Sequence, residues 1–302
     1  MRVKTQPMQL AALSILAGIL AAPLAVQADS FSPQDISGLQ VWLKADILPG
    51  LGHANGQGVT VWPDSSSAPN SLGVAQAGSS LPTHQSNVLN GQSVVRFTNS
   101  TANHLQEMRL LDAPNGTWQS WSSLQITGGL TFFAVINPTA DGNGPLMSDE
   151  NGTLRPGLAK TTETSTFRHA NSVLGPGINS FRILAATQSN VAAEASNDMA
   201  LFLDGTLQNS ATNTNSTLSN TNKVMLGADI FNLPNRANFS GDVAEILIYN
   251  SVLSEAQRDL VGAYLADKYA LTWVVVPEPS AMSLLLCCGL VLSTRRGRHE
   301  SR

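Results

Sequence analysis

The chain has 302 residues, of which 13% are charged and 42% hydrophobic, and its formal net charge is −4 at pH 7. A soluble domain usually carries about 25% charged residues, so Ser, Thr, Asn and Gln must form much of this surface. The hydrophobic share argues against a disordered chain. Residues 29–276 contain 11 basic and 19 acidic side chains, a net of −8 that repels a phosphate backbone and argues against nucleic acid as a partner.

The N-terminus has the three parts of a secretory signal peptide. Arg2 and Lys4 precede an apolar run from Leu10 to Leu24, and Val26-Gln27-Ala28 supplies the small side chains of a cleavage site. The basic start stays on the cytoplasmic side while the apolar run enters the bilayer. We therefore expect signal peptidase to cut after Ala28 and the rest of the chain to be exported.

The body that follows consists of short apolar or alternating runs and contains no repeat of fixed period. The runs are rich in Val, Ile, Phe and Trp, which suit a pleated, half-buried strand. We predict strands at Leu39–Leu43, Val59–Trp62, Ser93–Phe97, Leu130–Ile136, Phe181–Ala186, Met199–Leu203, Lys223–Gly227 and Asp242–Tyr249.

Turn residues between these runs indicate how the strands connect. Asn90-Gly91 precedes the run QSVVRF and Asp204-Gly205 follows MALFL, and both dipeptides supply the positive φ angles of a type I′ hairpin turn. Asn209–Asn222 is polar and of low complexity, so we expect an exposed loop there. Many short strands with such turns favour an all-β sandwich or jelly roll.

One helix is predicted near the end of the body. Ser254 and Gln257 have the spacing of a capping box, in which the serine caps the helix and the glutamine reaches back. The helix continues to Lys268, whose charge suits the negative pole of the helix dipole. We expect one stripe of it to pack against the sandwich, formed by Ala256, Leu260, Ala263 and Tyr264.

The C-terminal tail combines two prolines, a short apolar run and a basic cluster. Pro277 and Pro279 lack a backbone N–H and stop the preceding segment. The apolar run Ala281–Leu292 is shorter than the roughly 20 residues of a membrane span, and alone it also suits a core helix. The basic cluster marks the cytoplasmic end of a short membrane helix and contains Arg295, Arg296 and Arg298. Both cysteines lie in this run, so we expect no disulfide in the exported domain.

The order of Pro277-Glu278-Pro279, apolar helix and arginine cluster closely resembles the PEP-CTERM sorting signal of Gram-negative bacteria, which is also catalogued as an ice-binding protein C-terminal domain. The resemblance implies recognition near Pro277-Glu278-Pro279 by an exosortase, an integral-membrane cysteine protease. It also implies transient anchoring in the inner membrane, followed by transfer to the cell surface or extracellular matrix. We therefore divide the chain into a signal peptide (1–28), a body (29–275) and a sorting tail (276–302).

Six segments of the body occur in the order seen in bacterial LamG-like, concanavalin A-like jelly-roll domains: GLQVWLKAD, VTVWPDSSSAPNSLGVAQ, LNGQSVVRF, GLTFFAVINP, MALFLDGT and GDVAEILIYNSVLSEAQRDLVGAYLADKY. The match covers residues 36–271, and the closing strand followed by a short helix is its most specific part. The resemblance implies two facing antiparallel sheets, one of them concave. Members of this superfamily often bind glycans or other surface ligands, and some hydrolyse polysaccharides.

Hydrolysis of a glycosidic bond needs two carboxylates that face the same bond. The Glu-x-Asp-x-x-Glu strand carried by the glucanases of this superfamily is absent from the sequence. Asp242 and Glu245 are three residues apart, so a strand sends them to opposite faces. We therefore expect a non-catalytic domain in which Glu245 anchors local hydrogen bonds or lies on the outer side.

The sequence contains only weak candidates for a nucleophilic triad or a metal site. Four histidines of the body are candidates for a Ser/His/Asp triad, but Gly-x-Ser-x-Gly is absent and no His pair has the helical spacing of metal ligands. Two oxygen-rich turns suit calcium, although ordinary turns have the same composition. No cofactor is expected apart from calcium, whose candidate ligands are Asp141, Asp149 and Asn151.

Two tryptophans are candidates for sugar binding. Trp118 and Trp121 lie among Asn, Ser and Gln in a predicted loop, and an exposed indole beside amides can stack on a sugar ring. The alternative is that one or both cap the edge of the core. Trp42 and Trp62 lie in apolar strand patterns and are expected to be buried.

The sequence thus predicts an exported, exosortase-sorted protein whose jelly-roll body binds a glycan or exopolysaccharide without catalysis. Signal peptidase and an exosortase are its expected partners, and the membrane holds its tail before processing. The alternatives are a secreted polysaccharide hydrolase or lyase with an unfamiliar acid/base pair, and a purely structural envelope protein.

Overall fold

The structure is a computed structural model that describes residues 31–67, 73–76, 80–98, 106–113, 116–126, 128–139, 145–149, 154–158, 166–169, 171–189, 197–213, 221–229 and 237–275. The chain divides into two units, Met1–Phe31 and Ser32–Arg302, and every element below belongs to the second. The predicted signal peptide and sorting tail lie outside the described residues. Within the ranges above, none of the helices combines the length and the apolar character that a bilayer crossing requires.

Within these ranges the chain forms eighteen strands and one α-helix. The strands are β1 (Leu39–Lys44), β2 (Val61–Pro63), β3 (Gly73–Gln76), β4 (Thr83–Leu89), β5 (Gln92–Thr98), β6 (Met108–Leu111), β7 (Gly129–Pro138), β8 (Met147–Asp149), β9 (Leu154–Leu158), β10 (Thr166–His169), β11 (Asn171–Leu174), β12 (Arg182–Ser189), β13 (Asn197–Leu203), β14 (Thr206–Asn213), β15 (Val224–Leu226), β16 (Ala228–Asp229), β17 (Ala237–Asn238) and β18 (Ser240–Tyr249). The helix α1 spans Glu255–Tyr269. Every run that the sequence predicted as a strand overlaps one of these strands.

Two antiparallel sheets face each other as a sandwich. The larger sheet has the order β14-β13-β12-β7-β18-β5-β4, and β1 also pairs with β18. The smaller sheet has the order β2-β3-β6-β15-β8. The remaining described strands form a three-stranded sheet of β9 to β11 and a two-stranded sheet of β16 and β17. This architecture confirms the predicted all-β jelly-roll sandwich with one short helix after its last strand.

The core lies between the two sheets because alternate residues of each strand face inward. One buried cluster joins residues of β6, β7 and β15: Met108, Leu110, Leu130, Phe132, Ala134, Ile136, Val224 and Leu226. Trp62 belongs to the same cluster, as predicted. The outward residues of β7, such as Phe133, are also buried, because Trp273 from the segment after α1 covers that face.

Both predicted hairpin turns are confirmed. Asn90 and Gly91 have φ angles of 49° and 85° between β4 and β5, and Asp204 and Gly205 have the same pair of values between β13 and β14. The loop predicted from Asn209 onward is wrong in its first part, because β14 continues to Asn213. Its polar composition suits a strand at the edge of a sheet, where one side of the backbone meets water.

The helix begins as the sequence predicts but turns a different face to the sandwich. The backbone N–H of Gln257 donates to Ser254 Oγ at 3.2 Å, and the Ser254 N–H donates to Gln257 Oε1 at 3.0 Å. The predicted packing stripe is wrong for three of its four residues, because Leu260 is 48% exposed and Ala256 and Ala263 also face solvent. The fourth, Tyr264, does contact the sandwich, with its ring centroid 6.3 Å from that of Trp42. The buried residues are instead Val261, Gly262, Leu265 and Tyr269.

Trp273 is one reason why α1 buries this face and not the predicted one. Its ring lies directly over Gly262, where any side chain would collide with the indole. The ring also packs against Phe133 of β7, with 6.0 Å between the ring centroids. The indole N–H donates to Asp259 Oδ1 at 2.9 Å, so the segment after α1 is clamped between the helix and the sheet.

Glu245 of β18 is the second reason, since it attaches α1 to the larger sheet while being fully buried. Its Oε1 accepts from the Trp42 indole N–H at 2.5 Å and from the Tyr264 hydroxyl at 3.1 Å. Its Oε2 accepts from Lys268 Nζ at 2.6 Å and from the Tyr269 hydroxyl at 2.8 Å. Four donors thus satisfy the buried carboxylate, which confirms that Glu245 anchors local hydrogen bonds.

All three tyrosines of the chain lie around this carboxylate. Burial, reinforced by the charge of Glu245, raises the pKa of Tyr249, Tyr264 and Tyr269 well above the usual range. The Tyr249 hydroxyl also donates to the carbonyl oxygen of Pro33 at 3.0 Å, which ties the start of the body to β18.

Replacing Glu245 by alanine leaves Lys268 and two tyrosine hydroxyls without their shared acceptor. Removing one partner of a buried ion pair costs about 3–5 kcal/mol, so we expect Glu245→Ala to lower the free energy of unfolding by about that amount. Urea denaturation followed by tryptophan fluorescence measures the change. Glu255→Ala is the control, because Glu255 is an exposed glutamate in the first turn of α1. An equal loss in both variants would contradict the anchoring role.

The three tyrosines should resist ionisation in the folded protein. A free tyrosine ionises near pH ~10, whereas these three keep their protons because burial raises the pKa of each. Unfolding therefore releases protons in alkaline solution, so the free energy of unfolding falls as the pH rises above about 10 and does not depend on these groups below it. Ultraviolet titration of tyrosinate, run beside circular dichroism, checks the prediction. A tyrosine that ionises near pH ~10 in the folded chain contradicts it.

Candidate functional site

A bulge in β18 places Asp242 and Glu245 on the same face of the larger sheet. Asp242 pairs with Asn137 and Glu245 pairs with Val135, so three steps along β18 match two steps along β7. Asn137 and Val135 are two residues apart and share the outer face of β7. The prediction that the two carboxylates point to opposite faces is therefore wrong, because it assumed a regular strand.

Both carboxylates are committed to structural contacts. Arg96 donates from Nε to Asp242 Oδ1 at 2.6 Å and from Nη2 to Oδ2 at 2.8 Å, a bidentate pair between β5 and β18. This hydrogen bonding raises the pKa of Arg96. Glu245 is enclosed by the four donors from Trp42 and α1. Neither carboxylate presents a free face to a sugar bond.

The structure brings one histidine next to a serine. His84 Nε2 lies 3.0 Å from Ser93 Oγ, and His84 Nδ1 lies 3.1 Å from the carbonyl oxygen of Ala54. The carbonyl can only accept, so Nδ1 carries a proton, and in the neutral ring Ser93 donates its hydroxyl to Nε2. This is the arrangement of a base and a nucleophile, but His84 is 1% and Ser93 7% exposed. Such burial keeps a substrate from the serine, and the pair serves to join β4 to β5.

The two tryptophans predicted as candidates for sugar stacking lie in different environments. Trp121 is fully buried, and its indole N–H donates to Asp149 Oδ2 at 3.1 Å. Its ring faces are not available to a sugar, so the prediction for Trp121 is wrong. Trp118 is half-buried: its indole N–H donates to the carbonyl oxygen of Val224 at 2.7 Å, and the Arg109 guanidinium lies 4.2 Å from its ring centroid. A role of Trp118 in sugar binding stays a prediction.

Of the three candidate calcium ligands, Asp141 and Asn151 lie outside the described residues. Asp149 is buried in β8, where it accepts the indole hydrogen bond of Trp121. In the part of the chain that the structure describes, no three His, Cys, Asp or Glu side chains form a group that could hold a metal ion. Calcium binding at these positions stays a prediction.

A polar groove of about 540 Å³ crosses β12, β13 and β14. Its polar lining consists of Thr187, Ser189, Asp198, Ser210 and Thr212, and we call it the hydroxyl groove. Val252, from the connection between β18 and α1, forms an apolar wall. The volume lies within the roughly 300–1,000 Å³ that ligand pockets usually occupy.

The register of the strands explains why these side chains share one face. Thr187 pairs with Ala200, and Ala200 pairs in turn with Ser210, while Asp198 pairs with Thr212. Side chains paired across neighbouring strands point to the same side of a sheet. Thr187 is 7% exposed and forms the floor of the hydroxyl groove, whereas Ser210 and Thr212 are exposed at its outer edge.

Thr131 of the adjacent strand β7 holds the wall of the hydroxyl groove in place. Its hydroxyl donates to the carbonyl oxygen of Ser251 at 2.8 Å and accepts from the Leu253 N–H at 2.9 Å. Val252 lies between these two anchored residues and is 45% exposed. The connection to α1 therefore supplies a fixed apolar side to an otherwise polar groove.

The hydroxyl groove is not evident from the sequence, because the polar composition from Asn209 onward indicates a loop where β14 continues. The available signal was the Asp204-Gly205 turn, which makes the following residues the partner strand of β13. With that strand recognised, Ser210 and Thr212 alternate onto the face that also holds Asp198.

Comparisons with solved structures find distant likenesses. A mutant of Trypanosoma rangeli sialidase that displays trans-sialidase activity has 13% identity and a TM-score of 0.42, over 78% of this chain and 34% of that one. The binding domain of Botulinum neurotoxin DC, in complex with rat synaptotagmin II, has 12% identity and a TM-score of 0.47, over 76% and 52%. The binding domain of Paraclostridial Mosquitocidal Protein 1 has 13% identity and a TM-score of 0.48, over 77% and 53%. The chain thus spans about a third to a half of the length of these proteins.

No curated protein matches this sequence. The model of one family, Laminin_G_3, described as the concanavalin A-like lectin/glucanases superfamily, matches residues 98–257. This range is more than half of the chain and contains β7, β12 to β15 and the whole hydroxyl groove. The chain therefore belongs to the concanavalin A-like lectin/glucanases superfamily.

Proposed function

We propose that this protein is exported, sorted by an exosortase to the cell surface or extracellular matrix, and binds a glycan or exopolysaccharide there without cleaving it. The hydroxyl groove is the observation that carries the proposal. It offers hydroxyls and one carboxylate on a sheet of a lectin-type sandwich, and sugars are ligands rich in hydroxyls. The family relationship supports the same class of ligand.

The chemistry of the hydroxyl groove suits many weak contacts. The hydroxyls of Thr187 and Ser210 make no hydrogen bond with any residue that the structure describes, so each is available to a ligand. A hydroxyl both donates and accepts, which matches the hydroxyls of a sugar. Val252 adds an apolar surface on which the carbon face of a sugar ring can rest.

The state of the carboxylates favours binding over hydrolysis. Glycosidases need two carboxyl groups about 5–9.5 Å apart that both face the substrate. Asp242 is held by Arg96, and Glu245 is held by four donors. Among the described residues that line the hydroxyl groove, Asp198 is the only one with a carboxylate.

The two ends of the sequence support export and sorting. The first 28 residues have the form of a signal peptide, and the last 27 have the order of motif, apolar run and arginines that suits an exosortase substrate. In the body, the Val274 N–H donates to the carbonyl oxygen of Asp204 at 2.9 Å, which ties the end of the described chain to the β13–β14 turn. The motif Pro277-Glu278-Pro279 begins two positions after Val275.

A bulky side chain on the floor of the hydroxyl groove should block glycan binding. Ala200 lies between Thr187 and Ser210, so Ala200→Tyr fills the space that a sugar would occupy. We expect the full chain with this change to bind the extracellular polysaccharide of its native organism at least about ten-fold more weakly, a loss of about 1.4 kcal/mol. Isothermal titration calorimetry measures the affinity, and circular dichroism verifies the fold.

The matched control is Thr206→Tyr, which adds the same ring at an exposed position outside the hydroxyl groove. Equal affinity of the two variants would show that this groove is not the binding site. Absence of binding by the unmodified chain, with and without calcium, would favour a purely structural envelope protein. Release of reducing sugar ends from the polysaccharide would favour a hydrolase.

Replacing Pro277, Glu278 and Pro279 together by alanine should prevent sorting. We expect an unprocessed form of the chain to stay in the membrane of the native organism, because the exosortase no longer finds its motif. Immunoblots of the membrane and extracellular fractions measure this. Asp267→Ala, an exposed change in α1, should be processed as the unmodified chain is. Normal processing and release of the triple variant would refute the sorting assignment.

A further inference from the structure

We propose that the hydroxyl groove selects uncharged sugars and discriminates against acidic ones through Asp198. This inference rests on the proposed function, and it assigns the charge class of the ligand.

Asp198 lies near the start of β13, the middle of the three strands that line the hydroxyl groove, and is bonded to both neighbouring strands. Its backbone N–H donates to Ser189 Oγ of β12 at 2.9 Å. Its Oδ1 accepts from the Thr212 hydroxyl of β14 at 3.1 Å. The side chain is nevertheless exposed, so a carboxylate that β14 holds through Thr212 lines the open space of the hydroxyl groove.

The carboxylate of Asp198 can only accept hydrogen bonds, so a ligand that bonds to it must supply the hydrogen-bond donor. A carboxylate has about four acceptor positions, and Thr212 uses one of them. The hydroxyls of an uncharged sugar can donate to the remaining positions, and a hydrogen bond to a charged acceptor is about twice as strong as a neutral one. Thr187 and Ser210 can then either donate to or accept from the same sugar.

An acidic sugar binds less favourably beside Asp198 than an uncharged one. Its own carboxylate is also an acceptor without a proton, so it cannot bond to Asp198 and is repelled by it. Within the described part of the hydroxyl groove, no Lys or Arg lines the surface to offset that repulsion. Arg182, in the same strand as Thr187 and Ser189, is already paired with Asp204. The net charge of −8 on residues 29–276 adds to the repulsion at longer range.

The test separates the native extracellular polysaccharide by anion exchange into a neutral and an acidic fraction, and measures the binding of the full chain to each. Salt near 0.15 M limits the reach of the overall charge to about 8 Å, so the local effect of Asp198 dominates. We expect the unmodified chain to bind the neutral fraction at least about ten-fold more tightly than the acidic one. Asp198→Asn removes the charge while keeping the shape of the side chain.

We expect Asp198→Asn to weaken binding of the neutral fraction by about ten-fold and to reduce the preference between the fractions to about two-fold or less. Asp267→Asn is the matched control, since it removes the same charge from an exposed position of α1, and it should change neither value. Tighter binding of the acidic fraction, or equal behaviour of the two variants, overturns this inference while leaving glycan binding intact. Binding of neither fraction overturns the proposed function together with it.

Discussion

The burial of one carboxylate, that of Glu245, determines how α1 attaches to the larger sheet. A buried charge is tolerated only where donors surround it. Trp42 supplies one donor from β1, and α1 supplies three, from Tyr264, Lys268 and Tyr269. The strand and the helix must both be in place before this carboxylate is satisfied. Helix α1 is therefore held on the sheet in one orientation about its own axis, with Val261 and Leu265 facing the sheet and Leu260 facing solvent.

The bulge in β18 is what allows this attachment, and the connection that follows β18 supplies one wall of the hydroxyl groove. The extra residue turns Glu245 outward while Val243 and Ile246 remain in the core. Helix α1 then lies on the outer face, and the connection that leads to it is pinned by Thr131. That connection places Val252 at one side of the hydroxyl groove as its apolar wall. The polar side chains of β12 to β14 line the rest of the groove.

The five tryptophans contribute hydrogen bonds that hold the body together. Each of the five tryptophans donates its indole N–H to an acceptor within the body: Trp42 to Glu245, Trp62 to Lys44, Trp118 to Val224, Trp121 to Asp149 and Trp273 to Asp259. In the proposed function, contact with a glycan in the hydroxyl groove falls mainly to hydroxyls and to Asp198, since none of the described residues that line this groove is aromatic. Hydrogen bonds of this kind contribute about 0.5–1.5 kcal/mol each, and a repetitive polysaccharide can combine them over many copies of the protein.

The fold class, the hairpin turns and the start of the helix can be predicted from the amino-acid sequence, because strand runs, turns and caps each depend on residues close together in the chain. Asn90-Gly91 and Asp204-Gly205 need only their own φ angles, and Ser254 caps the helix within one turn. Tertiary structure decided which face of α1 is buried, where Glu245 points, and which strands form the hydroxyl groove. A bulge shifts the alternation of side chains without a mark in the local pattern, and only packing selects its position. For the same reason, two tryptophans from one polar segment ended in different places, one in the core and one half-buried beneath an arginine.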